Sequence, residues 1–256
     1  MIKGELQRIK IAMSIPFVLL CAMWIIHLVT SLFPIELGVY GVLPRTIHGL
    51  KGIVFAPFIH GDWSHLMANS LPFFVLSTTL FYFYQKIRFR VFIGIWIFSE
   101  ALLWLGGRNS YHIGASGVVY GLAAFLFLSG ILRREKASMV ISLLVSFLYG
   151  SMIWGVLPWF SKPNVSWEGH LWGFLVGFLL AFYYKKKDRQ RKKYSWETAD
   201  TDIEESEEDA YWNVPLPESE TRKRKINIKG ETAIILFLFL AFVAFLFLFR
   251  YGKEFM

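Results

Sequence analysis

Apolar residues recur along this chain in seven long runs, and polar or charged segments separate the runs. Several runs approach the roughly 20 residues that cross a bilayer as a helix. Lipid offers backbone groups no hydrogen-bond partner, so we expect an all-α polytopic membrane protein built as a helix bundle. The predicted spans cover residues 11–33, 65–84, 91–105, 114–132, 137–160, 169–184 and 232–249.

Two longer segments do not fit the pattern of a membrane helix. Residues 34–60 mix glycine, proline and apolar side chains, which favours a compact element in or against the membrane interface. Residues 186–231 are highly charged and predict a solvated, mostly disordered cytoplasmic linker. The expected organisation is a six-helix core over residues 1–185, the linker over 186–231 and a seventh transmembrane helix over 232–250.

Composition and charge support a membrane protein and set its expected orientation. Hydrophobic residues make up 55% of the chain, above the roughly 45–50% of soluble domains. The net charge of +8 would favour a nucleic-acid partner in a soluble chain. Here the basic residues flank alternate spans, so they indicate a cytoplasmic amino terminus and no nucleic-acid partner. The single Cys21 excludes an intrachain disulfide and a cysteine-based metal site.

Polar side chains within the apolar runs gather near one membrane surface. Polar groups are costly in lipid and usually face the bundle interior or a water-filled cavity. If the spans alternate in direction, His65 and Asn69, Ser116, and His170 all lie near the outer ends of their spans. His65 and Asn69 share a helix face, as do Ser116 and Tyr120, because each pair is four residues apart.

Small residues favour close contact between the fourth and sixth spans. Gly117 and Gly121 in one span, and Gly173 and Gly177 in the other, are each spaced four residues apart. This spacing lets two helix backbones approach closely. A serine and a histidine on different helices need such an approach to come within about 2.6–3.2 Å of each other.

These residue types suit nucleophilic catalysis. A serine hydroxyl is a poor nucleophile until a base takes its proton, and His170 is the natural base for Ser116. No aspartate is suitably placed for a triad, so we expect a dyad in which the Tyr120 ring orients His170. Asn69, His65 and the backbone N–H of Ser116 can donate hydrogen bonds to a developing oxyanion. We expect His112, just before the nucleophile loop, only to cap that loop.

Three stretches resemble the motifs of a known family. They read Gly114-Ala115-Ser116-Gly117, His60-Gly61-Asp62-Trp63-Ser64-His65-Leu66-Met67-Ala68-Asn69, and Glu168-Gly169-His170-Leu171-Trp172-Gly173. In this order they resemble the rhomboid intramembrane serine proteases, and residues 40–45 resemble the arginine-bearing interfacial loop of that family. The resemblance covers about residues 1–185. The charged linker and last span resemble a family variant with an appended carboxyl-terminal helix.

The resemblance implies an intramembrane serine endopeptidase that needs no metal or cofactor. Its dyad would be Ser116 and His170, supported by Asn69, His65, Tyr120 and Gly114. We expect it to lie in a bacterial inner (plasma) membrane, to open to the outer side, and to cleave single-pass membrane proteins in or near their transmembrane segments. The physiological substrate, the helix gap that admits it and the oligomeric state stay open.

Other function classes fit the sequence less well. The main alternative is a catalytically silent rhomboid-like protein that binds transmembrane segments in trafficking or quality control. Such a relative is expected to lack the nucleophile or the base, and this chain has both. A transporter would need ionisable residues along a path through both leaflets. A zinc metalloprotease would need a His-Glu-x-x-His motif, which does not occur.

Overall fold

The computed structural model describes residues 2–33, 35–160 and 165–187, all within a compact unit that spans Met1–Lys192. The described part contains six long helices. They are α1 (Ile2–Leu32), α2 (Trp63–Phe83), α3 (Arg88–Gly106), α4 (Ser116–Arg133), α5 (Lys136–Tyr149) and α6 (Trp167–Tyr184). The predicted linker beyond Lys187 and the predicted seventh span lie outside the described residues.

Five segments of the described part are long and apolar enough to cross a membrane. They are Gly4–Leu32, Trp63–Phe83, Arg88–Gly106, Ser116–Arg133 and Lys136–Val156. The α6 helix corresponds to the sixth predicted span and carries Glu168 and His170 in its first turn. The prediction of an all-helical, multi-pass membrane protein is confirmed.

The first helix begins earlier than its apolar run predicted. We expected a span from residue 11, but α1 begins at Ile2. Polar partners stabilise the added turns, because Arg8 donates to Glu5 at 2.6 Å and the Tyr82 hydroxyl donates to Glu5 at 2.7 Å. The Tyr82 contact also joins the start of α1 to the end of α2.

Two other boundaries differ from the predicted ones by a few residues. The fifth span was expected to continue to residue 160 and the apolar segment continues to Val156, but it changes at Tyr149 from α-helix to a 3₁₀ segment over Gly150–Val156. Gly150 is a poor helix former, and the tighter segment beyond it places the Gly155 carbonyl at the site described below. The fourth helix begins at Ser116 rather than residue 114, because Gly114 has a φ of +109°, outside the helical region.

The helix that begins with Ser116 is the centre of the bundle. In α4, 72% of the span is buried, compared with 17–39% in the other four candidate spans. The α4 helix packs most extensively against α6, and it also contacts α5, α2 and α3. Because most of α4 is packed against other helices, the position of a residue at its start, such as Ser116, is well fixed.

Glycines bring α4 and α6 into direct backbone contact, as their spacing predicted. A Cβ atom on Gly173 would collide with the carbonyl oxygen of Gly117, and one on Gly177 would collide with the carbonyl oxygen of Gly121. Conversely, a Cβ on Gly121 would lie 3.0 Å from the Gly173 carbonyl oxygen. The contact extends over about one helical turn, so any side chain at these positions would push the helices apart.

Short helical turns make residues 35–60 a compact element, as predicted. They are Leu37–Tyr40, His48–Lys51, Gly52–Phe55 and Ala56–Phe58. The Trp104 indole in α3 donates to the Thr46 carbonyl at 2.8 Å. Val42 and His112 exchange two backbone hydrogen bonds of 2.8 and 2.9 Å. The element is thereby tied to the loop that precedes Ser116.

The glycine contact predicts a stability difference between two alanine variants. Gly177→Ala should lower the free energy of unfolding by about 1–3 kcal/mol, because the new methyl group meets the Gly121 carbonyl. Gly4→Ala, at an exposed glycine within α1, is the matched control, since nothing lies within 4 Å of its Cβ position. Thermal unfolding of both proteins in detergent measures the difference. Equal melting temperatures would contradict direct backbone contact.

Candidate active site

The structure brings Ser116 and His170 within hydrogen-bond distance. Ser116 is the first residue of α4, and His170 lies in the first turn of α6. The Ser116 Oγ and His170 Nε2 atoms are 3.0 Å apart. His170 is buried and Ser116 is partly exposed, so a reactant could reach the hydroxyl but not the full imidazole. This distance is the one that a nucleophile and its base require.

A backbone carbonyl determines which imidazole nitrogen faces the serine. The Nδ1 atom of His170 lies 2.9 Å from the Gly155 carbonyl oxygen. A carbonyl oxygen can only accept, so Nδ1 carries the proton, and in the neutral ring Nε2 is free to accept from Ser116. Gly155 therefore orients the histidine as an aspartate would in a triad. Sequence reasoning missed Gly155, because a carbonyl oxygen belongs to every residue and leaves no side-chain signal.

Tyr120 stacks on the imidazole. The ring centroids of Tyr120 and His170 are 4.2 Å apart, and the ring planes differ by 7°. A Cβ atom on Gly155 would collide with the Tyr120 hydroxyl and would lie 3.4 Å from His170 Nδ1. The stack sets the plane of the imidazole, and the Gly155 carbonyl sets its rotation within that plane. The structure therefore places Tyr120 beside His170.

His65 and Asn69 converge on Gly114, two residues before Ser116. A Cβ atom on Gly114 would lie 2.6 Å from His65 Nε2 and 3.7 Å from Asn69 Nδ2. The Asn69 Nδ2 atom is buried, and it has no hydrogen-bond partner among the described residues. A buried donor without a partner is costly, so this one is ready to bond a ligand atom. The α4 helix begins two residues after Gly114, and the first N–H groups of a helix have no partner within the helix.

His60 packs against His65 in the cluster formed by His65, Asn69 and Gly114. Its ring contacts the His65 ring edge-on, with centroids 5.0 Å apart. Burial first, and the charge of His65 second, lower the pKa of His60 to about 4, so the ring is neutral at physiological pH. His60 thus adds a packing contact to His65 without adding charge.

The role expected for His112 was wrong. We expected it only to cap the nucleophile loop, but its Nδ1 atom lies 2.7 Å from the Ser166 hydroxyl, just before α6. Its Nε2 atom lies 3.0 Å from the carbonyl oxygen of Arg108. His112 therefore connects the loop before Ser116 to the residues before His170.

A cavity of about 690 Å³ lies beside the cluster. Its walls include His27, His60, Gly61, Tyr111 and Ile113. Water occupies about 30 Å³ per molecule in the liquid, so this space can hold several molecules beside His60 and Ile113. Within residues 2–33, 35–160 and 165–187, no three histidine, cysteine or acidic side chains are grouped to hold a metal ion.

Comparisons with known proteins identify related sequences. A sequence model of the Rhomboid domain matches residues 48–187, a range that contains the six predicted site residues. An uncharacterized protein of Mycobacterium tuberculosis is 34% identical over 187 residues, which is 66% of this chain and 74% of the relative. An uncharacterized protein of Mycobacterium leprae is 32% identical over 177 residues, 66% of this chain and 70% of its own length.

A further relative comes from Bacillus subtilis, and its name assigns it provisionally to the rhomboid proteases. It is 30% identical over 140 residues, which cover 52% of this chain and 66% of the relative.

The Tyr120 stack predicts how fast Ser116 reacts with a fluorophosphonate probe. Tyr120→Leu should slow labelling about two- to tenfold, because an aromatic pair contributes about 0.5–1.5 kcal/mol beyond its burial. Tyr120→Phe keeps the ring and should label at nearly the wild-type rate. Tyr183→Leu, at an exposed tyrosine of α6, is the control for a lost aromatic ring. Equal labelling of the Leu and Phe variants at position 120 would contradict an orienting role.

Proposed function

The chain belongs to the rhomboid family of membrane proteins, and we propose that it acts as an intramembrane serine endopeptidase. The observation that carries this proposal is the 3.0 Å contact of Ser116 Oγ with His170 Nε2, the nitrogen left unprotonated by the Gly155 carbonyl. Family membership by itself does not establish activity. The geometry supports it because a base of the correct tautomer faces a reachable hydroxyl.

In the proposed first half-reaction, Ser116 Oγ attacks the carbonyl carbon of the scissile peptide bond and passes its proton to His170 Nε2. The carbonyl oxygen becomes an oxyanion, which accepts hydrogen bonds from Asn69 Nδ2, from His65 and from the Ser116 backbone N–H. The tetrahedral species then collapses to an acyl-enzyme. The leaving amine takes the proton from His170 as the carbon–nitrogen bond breaks.

In the second half-reaction a water molecule from the adjacent cavity attacks the acyl carbon. His170 Nε2 takes a proton from this water, and the same oxyanion donors stabilise the second tetrahedral species. Its collapse breaks the bond to Ser116 Oγ, which recovers its proton from His170. The imidazolium formed in each step keeps its Nδ1–H bond to the Gly155 carbonyl, and that bond strengthens with positive charge.

We propose single-pass membrane proteins as substrates and a bacterial plasma membrane as the location. The α2, α4 and α6 helices begin at the end of the bundle where the site lies, and basic residues such as Arg88, Arg133 and Lys185 lie at the other end. Basic flanks are typical of the cytoplasmic side, so the site would open to the outer side. Residues 1–185 would form the catalytic core, residues 186–231 a linker and residues 232–250 a seventh span.

The alternative is a silent rhomboid-like protein that binds transmembrane segments without cutting them. Binding alone would not need a particular imidazole tautomer next to Ser116. It would also not need a buried, unpartnered amide at Asn69, whose burial costs free energy unless a ligand atom bonds to it. These two features favour the enzyme.

The dyad predicts a large fall in the rate of cleavage in two variants. Purified wild-type protein should cut a model single-span substrate, whereas Ser116→Ala and His170→Ala should lower the rate by a factor on the order of 10³ or more. Gel analysis of the products measures this, and unchanged melting temperatures show that the variants fold. Ser14→Ala and His48→Ala, at exposed positions, are the matched controls. Full activity of both dyad variants would refute the proposal.

The oxyanion assignment predicts an effect on turnover rather than on substrate binding. Asn69→Ala should lower kcat about 10²–10³-fold, because it removes a donor that bonds the transition state. The KM value should change little. Asn109→Ala, at an exposed loop position, is the control. An Asn69→Ala enzyme with normal kcat would exclude this amide from the oxyanion site.

A further inference from the structure

Two hydrogen bonds join the same two chain segments at the same spacing. One is the Ser116–His170 contact, and the other is the 2.7 Å contact of His112 Nδ1 with Ser166 Oγ. His112 lies four residues before Ser116, and Ser166 lies four residues before His170, so each bond joins residues 54 apart. The second bond therefore joins the loop just before α4 to the residue that caps the start of α6.

The protons of this second bond can be assigned from its neighbours. His112 Nε2 lies 3.0 Å from the Arg108 carbonyl oxygen, which can only accept, so Nε2 carries the proton. Burial lowers the pKa of His112, which keeps the ring neutral and leaves Nδ1 to accept from the Ser166 hydroxyl. Ser166 Oγ in turn accepts from the Gly169 N–H at 3.2 Å and so caps α6.

Other bonds anchor both sides of this contact. The backbone of His112 pairs with Val42 in the compact element of residues 35–60. The Arg108 guanidinium donates to the Val165 carbonyl at 2.9 Å, which is a second bond between the same loop and the residues before α6. We call His112, Ser166, Arg108 and Val165 the clasp.

Along both chain segments the clasp precedes the dyad and the glycine contact follows it. The Gly117 carbonyl, one residue after Ser116, meets Gly173, three residues after His170, and this contact sets the distance between α4 and α6. Before the dyad, Gly114 has a positive φ, so α4 does not extend through Gly114 into the preceding loop. The helix therefore cannot fix the position of Ser116 from that side. A displacement of about 1 Å between reacting groups can cost 10²-fold in rate. Backbone bonds tie this loop to Ala56 and Val42, and the clasp ties it directly to the residues before α6, which carries His170.

We propose that the clasp positions the dyad, with His112 and Ser166 acting as positioning residues for Ser116 and His170. The inference rests on the proposed function, because it concerns the turnover of that same site. It adds a role for two residues that contact neither the substrate nor the reacting atoms.

Two amide variants of His112 separate its two hydrogen bonds. In His112→Asn the Oδ1 atom takes the place of Nδ1 and can still accept from Ser166. In His112→Gln the Nε2 amide takes the place of the ring Nε2 and can still donate to the Arg108 carbonyl, but the bond to Ser166 is lost. The Gln variant should lose about 10- to 10²-fold in kcat, whereas the Asn variant should lose only about threefold or less.

Ser166 provides the reciprocal test. Ser166→Thr keeps a hydroxyl for both the clasp and the helix cap and should retain activity. Ser166→Ala should lower kcat, and in the Ser166→Ala background His112→Gln should cost little more, because both changes remove the same bond. His48→Gln, at an exposed histidine, is the matched control.

The measurements are kcat and KM for a single-span substrate, taken well below the melting temperature of every variant. A fall in kcat at constant KM in His112→Gln, rescued in His112→Asn, supports a positioning role. Equal losses of kcat in both variants, or no loss in either, overturn the positioning role. An active wild-type enzyme in the same experiment shows that the proposed function still stands. An inactive wild type whose Ser116 is not labelled by a phosphonate overturns the proposed function and this inference together.

Discussion

Direct backbone contact between α4 and α6 determines where the reactive groups of this protein can meet. Gly117 and Gly121 face Gly173 and Gly177 so closely that a methyl group on either α6 glycine would collide with a carbonyl of α4. Helices with larger residues here would lie farther apart, and a serine at the start of one could not reach a histidine in the other. The same contact buries α4 at the centre of the bundle, so fold and site depend on one interface.

The candidate site orients its base without a buried carboxylate. A charged aspartate at this depth would be costly to desolvate, whereas the Gly155 carbonyl is neutral and still fixes the tautomer of His170. Tyr120 adds a stacked ring that limits rotation of the imidazole. The end of the α5 helix at Tyr149 is part of this arrangement, because a continued α-helix would bond its carbonyls internally.

Hydrogen bonds between loops tie together the end of the bundle where the candidate site lies. There the compact element of residues 35–60, the loop before Ser116 and the start of α6 are tied together through Val42, His112 and Ser166. The cluster also includes Asn69, whose amide nitrogen has no partner among the described residues. Packing against α4 fixes the positions of the helices relative to one another. Hydrogen bonds between loops fix the ends of α4 and α6 at which the chemistry is proposed.

Sequence alone indicated a helical, multi-pass membrane protein and the set of residues that meet, because apolar length, four-residue spacing and small-residue pairs are local signals. Ser116, His170, Tyr120, His65, Asn69 and Gly114 all lie in one cluster, as their positions along alternating spans indicated. The tertiary structure alone decided the tautomer of His170 and the partner of His112. Both depend on a group supplied by a distant segment, the Gly155 carbonyl in one case and the Ser166 hydroxyl in the other. A backbone carbonyl and a loop hydroxyl carry no pattern that marks their partners, so only the folded chain reveals them.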